Sequence, residues 1–178
     1  MGLFDHKTYL VDQKLLALRY TLIIKDETGK ELGRAVEKLL SWMGKIEFFD
    51  NKGNKLGSVE GKFSARPTFK IIDQNKKHLA TIKEKILTIH DDWWVEDLKG
   101  EKMLKVLGNI LGLEYKILDK SGLVVAEVSK KFWAVRDHFG VKINYDFDPF
   151  LILAIVATIG IHKQREGGAA AAAAGSAG

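Results

Sequence analysis

The sequence predicts a mostly β protein, a closed antiparallel β-barrel of about twelve strands enclosing a C-terminal hydrophobic helix. Three observations carry this. An Asp-turn motif recurs at Asp26, Asp50, Asp73, Asp97 and Asp119, with spacings of 24, 23, 24 and 22 residues. Apolar and polar residues alternate on both sides of each motif. One stretch near the C-terminus, 150–161, is apolar on every side.

The turn comes first. Three residues after each Asp stand Gly29, Gly53, Lys76, Gly100 and Gly122. An Asp carboxylate accepts backbone N–H bonds within a turn, and Gly tolerates positive φ, so each motif reads as a hairpin. The flanks agree. Four and two residues before each Asp lie Leu22 and Ile24, Ile46 and Phe48, Phe69 and Ile71, Trp93 and Val95, Tyr115 and Ile117. After the turn, offsets +7, +9 and +13 give Gly33, Ala35 and Leu39; Gly57, Val59 and Phe63; Ala80, Ile82 and Ile86; Leu104, Val106 and Ile110; Ala126, Val128 and Phe132. These are expected to face inward, with mostly polar residues between them, because period-two alternation marks a sheet buried on one face. The fourth unit is the weakest, with Leu107 on the wet side. A period near 24 also suits a leucine-rich solenoid, but its LxxLxL signature is missing and each unit reads strand–turn–strand.

Five hairpins make ten strands. A leading strand near 7–11 and a trailing one near 139–145 bring the total to about twelve, and 12–19 is left as a further strand or a loop. Pro67 falls between two units, where a strand tolerates it.

The helix follows. Asp148 suits an N-cap and Pro149 a first helical residue, while His162, Lys163 and Arg165 suit the negative end of the helix dipole. The twelve-residue run 150–161 extends roughly 18 Å as a helix, short of the ~20 residues a bilayer core requires. A buried core helix over 149–164 is therefore expected rather than a transmembrane span, with Pro149, Phe150, Leu151, Leu153, Ile155 and Ile159 in the core. It also solves a packing problem. A barrel wider than eight strands leaves a lumen that Gly33, Gly57, Ala80 and Ala126 are too small to fill, and a helix about 10 Å across fills it. Residues 1–166 form one domain. Residues 167–178, only Gly, Ala and Ser, are expected to be a disordered or artificially added tail.

The segments LRYTLIIKDETGKELG (18–33), KILDKSGLVVAEVSKKF (116–132) and DPFLILAIVATIG (148–160) together resemble the LURP-one-related family, which has the tubby C-terminal-like fold and is related to the phospholipid scramblases. The resemblance covers about 7–162. It implies a membrane-associated or phosphoinositide-binding module, with a scramblase-like protein acting on membrane lipids as the alternative. It also raises calcium as a cofactor, with Asp146 and Asp148 the residues to consider, although the ligand series of an EF-hand is missing. Asp148 serves equally as the helix cap.

No catalytic chemistry stands out. There is no cysteine, so thiolate nucleophiles and cysteine zinc sites are excluded. The five histidines form no HExxH or similar spacing. His90 beside Asp91 and Asp92, and His138 beside Asp137, are imidazole–carboxylate neighbours and read as loop residues. No P-loop, dinucleotide fingerprint or nucleophile elbow occurs. The expectation is no enzyme, no catalytic or metal residues and no bound cofactor; a small enzyme of unknown reaction is the remaining alternative. The first residues lack a signal-peptide pattern, and a cytoplasmic protein, peripheral at a membrane, is expected.

Charge gives the positive signal. There are 28 Lys+Arg against 23 Asp+Glu, a net charge of +5. Offset +12 in the repeats yields Lys38, Lys62, Lys85 and Lys131, with Lys83 and Lys130 nearby. Two readings stay open for these six: a solvated, edge-protecting face, or contact with anionic membrane lipid or phosphoinositide. Nucleic acid is not expected, because no exposed aromatic stripe accompanies the lysines. Of the adjacent Trp93 and Trp94, one must point out of the barrel, where it would suit a membrane interface.

Overall fold

The computed structural model describes residues 2–16, 19–38, 41, 43–85, 93–132 and 138–175. The five Asp motifs fold as five turns of one geometry. Asp26 Oδ1 accepts the backbone N–H of Thr28 at 2.9 Å and of Lys30 at 3.0 Å. Asp50, Asp73, Asp97 and Asp119 each take the same two bonds, at 2.8 or 2.9 Å. The residue three after each Asp has positive φ: 85–87° at the four glycines, 63° at Lys76. A bulge follows in every pairing across these turns, as a type I turn ending on a left-handed residue requires.

The strands are β1 (Thr8–Leu16), β2 (Arg19–Lys25), β3 (Glu31–Glu37), β4 (Lys45–Asp50), β5 (Lys55–Gly61), β6 (Thr68–Asp73), β7 (His78–Glu84), β8 (Trp93–Glu96), β9 (Lys102–Asn109), β10 (Glu114–Asp119), β11 (Val124–Ser129) and β12 (His138–Ile143). Each pairs antiparallel with its chain neighbour, and β1 pairs β12 to close the barrel. All five Asp turns therefore lie at one end, the hairpin end.

Helix α1 (Pro149–Gly175) starts at that end and threads the lumen. Asp148 Oδ1 accepts the Phe150 N–H at 2.9 Å and caps it. Phe150, Leu151, Leu153, Ile155 and Ile159 are buried, against Val59, Ile71, Ile82 and Val95 of the wall. Fully burying one such side chain stabilises by about 1.5–3 kcal/mol. The Phe150 ring lies edge-on to Phe48, with centroids 5.4 Å apart, and 5.3 Å from Phe4. Gly57 makes room for it, since a Cβ there would collide with the Phe150 ring. Phe4 and buried Leu3 stopper the hairpin end. No helix among the described residues is long and apolar enough to cross a membrane.

Several details differ from the sequence reading. Residues 12–16 extend β1 rather than forming a loop, and β12 ends at Ile143. Helix α1 continues past 164 to Gly175, along alanines of the highest helix propensity. Offset +13 faces inward at Ile110 but not at Phe63 or Phe132, because β5 stops at Gly61 and β11 at Ser129. The chain then turns away. Gly61 N–H bonds to the Gly44 carbonyl, and Lys130–Phe132 is a 3-10 turn. Leu39 and Ile86 lie outside the described residues.

Candidate functional site

The end opposite the hairpins is where α1 emerges. In two repeats the residue at offset +11 after the Asp continues the inward-facing series and is a buried glutamate, Glu37 and Glu84. The last turns of the apolar helix bring their partners. Arg165 Nε contacts Glu37 Oε1, whose other oxygen accepts the Tyr20 N–H at 3.2 Å. Lys163 Nζ lies 2.7 Å from Glu84 Oε1, and His162 Nε2 lies 3.1 Å from Glu84 Oε2. Burial pushes the Glu84 carboxyl up, but His162 and Lys163 overcome that and hold it below its ordinary value. The His162 ring is edge-on to Phe69 and Trp93, each with its centroid 5.5 Å away. These contacts clasp the helix to β3 and β7.

Among the described residues, one group of His and carboxylate side chains converges closely enough to consider for a metal: Glu84, His162 and Glu166. Lys163 Nζ already sits between the two carboxylates, 2.7 Å from Glu84 and 2.7 Å from Glu166. A cation binding there would have to displace the ammonium group. Asp146 instead contacts Lys7 at 3.2 Å and Asp148 caps α1, so the two do not converge. His138 contacts Asp12, which also takes Lys25 Nζ at 2.6 Å on the barrel exterior. His90, Asp91, Asp92 and Asp137 lie outside the described residues.

The six lysines fall into two groups. Lys38 is bound to Glu47 at 2.9 Å, and Lys83 to Glu96 at 2.6 Å. Lys62, Lys85, Lys130 and Lys131 are exposed, and all follow strands that finish at the helix-exit end. Lys62, Lys130 and Lys131 have no salt-bridge partner among the described residues. Between them stand apolar side chains that the alternation pattern did not flag as exposed. Phe63 is 83% exposed and Leu111 74%, with Met43 and Phe132 also in the open. Each belongs to a connection between strands at this same end.

A second basic feature lies on the outer wall. Trp93 points inward and Trp94 outward, as adjacent strand residues must, but Trp94 is 9% exposed rather than bare. Lys102 Nζ sits 4.7 Å from its ring centroid and the Arg66 guanidinium 5.7 Å. Its indole N–H donates to Glu96 Oε1 at 2.9 Å. Burial raises the Glu96 carboxyl, but Lys83 and this indole bond outweigh that and hold it low. Around Trp94 is a groove of about 740 Å³, bordered by Arg66, Lys85, Lys102, Lys105 and Lys120. Sequence spacing gives little sign of it, because its residues come from five separate segments.

A closed meander wrapped on an apolar helix has its interior filled by its own chain. Such a protein is a helix-filled β-barrel, and the surfaces it leaves accessible are its ends and outer wall. The LURP-one-related family model matches residues 7–160, and the chain belongs to that family. A search of curated proteins finds no significant match. Among solved structures, the X-ray structure of a protein from Arabidopsis thaliana superposes with a TM-score of 0.62 at 17% identity, over 88% of this chain and 92% of that one. At that identity the likeness establishes the shared fold.

Proposed function

We propose that this LURP-one-related barrel is a non-enzymatic, membrane-associated module that binds anionic lipid surfaces with its helix-exit end. The supporting observation is the combination found there: exposed Phe63, Leu111, Met43 and Phe132 interspersed with exposed Lys62, Lys85, Lys130 and Lys131. Apolar tips alone suit any hydrophobic partner, and lysines alone suit mere solubility. Together they match a headgroup layer that is negative outside and apolar beneath. Each lysine near such a surface contributes on the order of 1 kcal/mol, and an inserted Phe adds up to about 3 kcal/mol.

The test is co-sedimentation with phosphatidylcholine vesicles, with and without phosphatidylserine. Binding is expected to need the anionic lipid and to weaken as salt shortens the Debye length below its physiological ~8 Å. Substituting Lys62, Lys130 and Lys131 together by Ser should remove most of it, and Phe63→Ser should weaken it at every salt concentration. Equal binding to neutral and anionic vesicles, or full binding by the triple variant, rules the reading out.

A further inference from the structure

We propose that Glu84, His162 and Glu166, where α1 leaves the barrel, form a binding site for a divalent transition metal of the zinc type, which exchanges there with the Lys163 ammonium. This goes beyond the membrane reading, because none of the lysines or apolar tips of the exit-end surface takes part in it.

The fold assembles the ligand set. His162 and Glu166 are four residues apart on α1, so one turn of helix brings them to the same face, and Glu84 is the last residue of β7 on the facing wall. His162 Nε2 lies 3.1 Å from Glu84 Oε2 and 3.4 Å from Glu166 Oε1. A tetrahedral ion with bonds of about 2.0–2.1 Å holds its ligands about 3.3–3.4 Å apart, so these two edges already have close to the required length. All three donor atoms lie within 4.8 Å of one another, and the half-exposed Glu166 side chain can turn to shorten the remaining edge.

A second observation points to a cation. His162 Nε2 is shut off from solvent, yet it makes no hydrogen bond to either carboxylate or to any other group among the described residues. A buried imidazole nitrogen flanked by two carboxylate oxygens and bonded to neither has its lone pair satisfied by a metal ion. Lys163 Nζ takes the opposite oxygens, Glu84 Oε1 and Glu166 Oε2, each at 2.7 Å. Two carboxylates thus share one ammonium. A dication on the imidazole side draws on both at once, neutralises both, and releases the ammonium that their charge had held.

The donors also select the metal. One imidazole nitrogen with two carboxylates suits zinc and its neighbours, whereas calcium calls for about six to eight oxygens. His162 and Glu166 line an open cavity of about 460 Å³ beside the β5–β6 connection. It gives an ion a way in and leaves room for a water as fourth ligand. The bound ion ties the end of α1 to β7, so it should stabilise the folded chain.

Calorimetric titration of the untagged full chain with zinc chloride tests the site, with thermal melts at each zinc concentration as a second readout. Saturable binding at one site is expected, with a Tm that rises with zinc and falls back on adding EDTA. Excess calcium or magnesium should displace none of it. Loss of a group that merely orients a ligand costs about 10–100-fold in affinity, so removing a ligand should cost at least about tenfold. His162→Ala and Glu166→Gln should each show that loss, and the exposed Glu166 keeps the test open if His162→Ala fails to fold. Lys163→Gln should bind zinc more tightly, because the resident cation is gone. The Lys62, Lys130 and Lys131 triple variant should bind zinc as the parent does, which separates this site from the exit-end surface. No saturable binding, or binding unchanged in Glu166→Gln, overturns the site. Displacement by calcium overturns the choice of metal, and weaker binding by Lys163→Gln overturns the exchange.

Discussion

Lys76 is the one residue among five equivalent turn positions that is not glycine, yet its φ of 63° is left-handed like theirs. A side chain there puts Cβ close to the following carbonyl, a strain of roughly 1–2 kcal/mol. Gly removes the strain but gives back part of it through the greater freedom of the unfolded chain. Lys76→Gly should therefore stabilise by about 0.5–1 kcal/mol, raising Tm by about 1–4 °C. A thermal melt checks this, and an unchanged or lowered Tm would mean that Lys76 makes a compensating contact. The neighbouring carboxylates behave as the turn requires. Asp26 and Asp119 are held below the usual carboxylate range, first by the hydroxyls of Thr28 and Ser121 and also by backbone N–H groups. The side-chain amide of Asn54 plays the leading part at Asp50.

At the scale of elements, the clasp between α1 and β7 is sensitive to pH. Because the native Glu84 carboxyl titrates below its ordinary value of 4.5, the folded state favours the ionised form. The stabilisation is therefore complete above the unfolded value and is lost as pH falls through the native one. Glu84→Gln should destabilise at pH 7 by on the order of 1–3 kcal/mol and flatten the acid limb of the stability curve. Urea denaturation between pH 7 and 3 measures both, and parallel curves for the two proteins would exclude a role for this carboxylate. The clasp also marks where sequence reasoning ran out. The Asp turns, the inward Ile71, Ile82 and Ile117, and the helix cap at Asp148 were legible because each repeats a local pattern or sits beside its partner in the chain. Glu37 and Glu84 break the alternation at lumen positions, and only the closed barrel reveals Arg165 and Lys163 opposite them. Phe63 and Phe132 kept the period on paper, while β5 and β11 had already ended. The groove was hidden for a related reason: Arg66, Trp94 and Lys120 become neighbours only when β6 to β10 curve into one wall.

At the scale of the molecule, the two ends are unlike, one stoppered by Leu3 and Phe4 and the other crossed by the emerging helix. The stretch 167–178 lies beyond the clasp and carries no apolar side chain larger than Ala. Deleting it should leave Tm within a few degrees of the full chain, since an isolated run of this length is marginal as a helix and has no stripe to dock. A larger drop would show that the tail packs against the body. The seam between β1 and β12 has a further consequence, for the making of the protein. Its two edges are the first and last strands, and the helix that fills the lumen is translated after both. At ~5–20 residues per second, the ribosome spends several seconds or more extending a sheet that has neither its closing edge nor its filling. During that interval Tyr9, Val11 and Ile24 have no interior to face, and the free edge of β1 is open to wrong partners. Closure of the barrel therefore waits for β12 and α1, and until they arrive the free edge of β1 lacks its native partner.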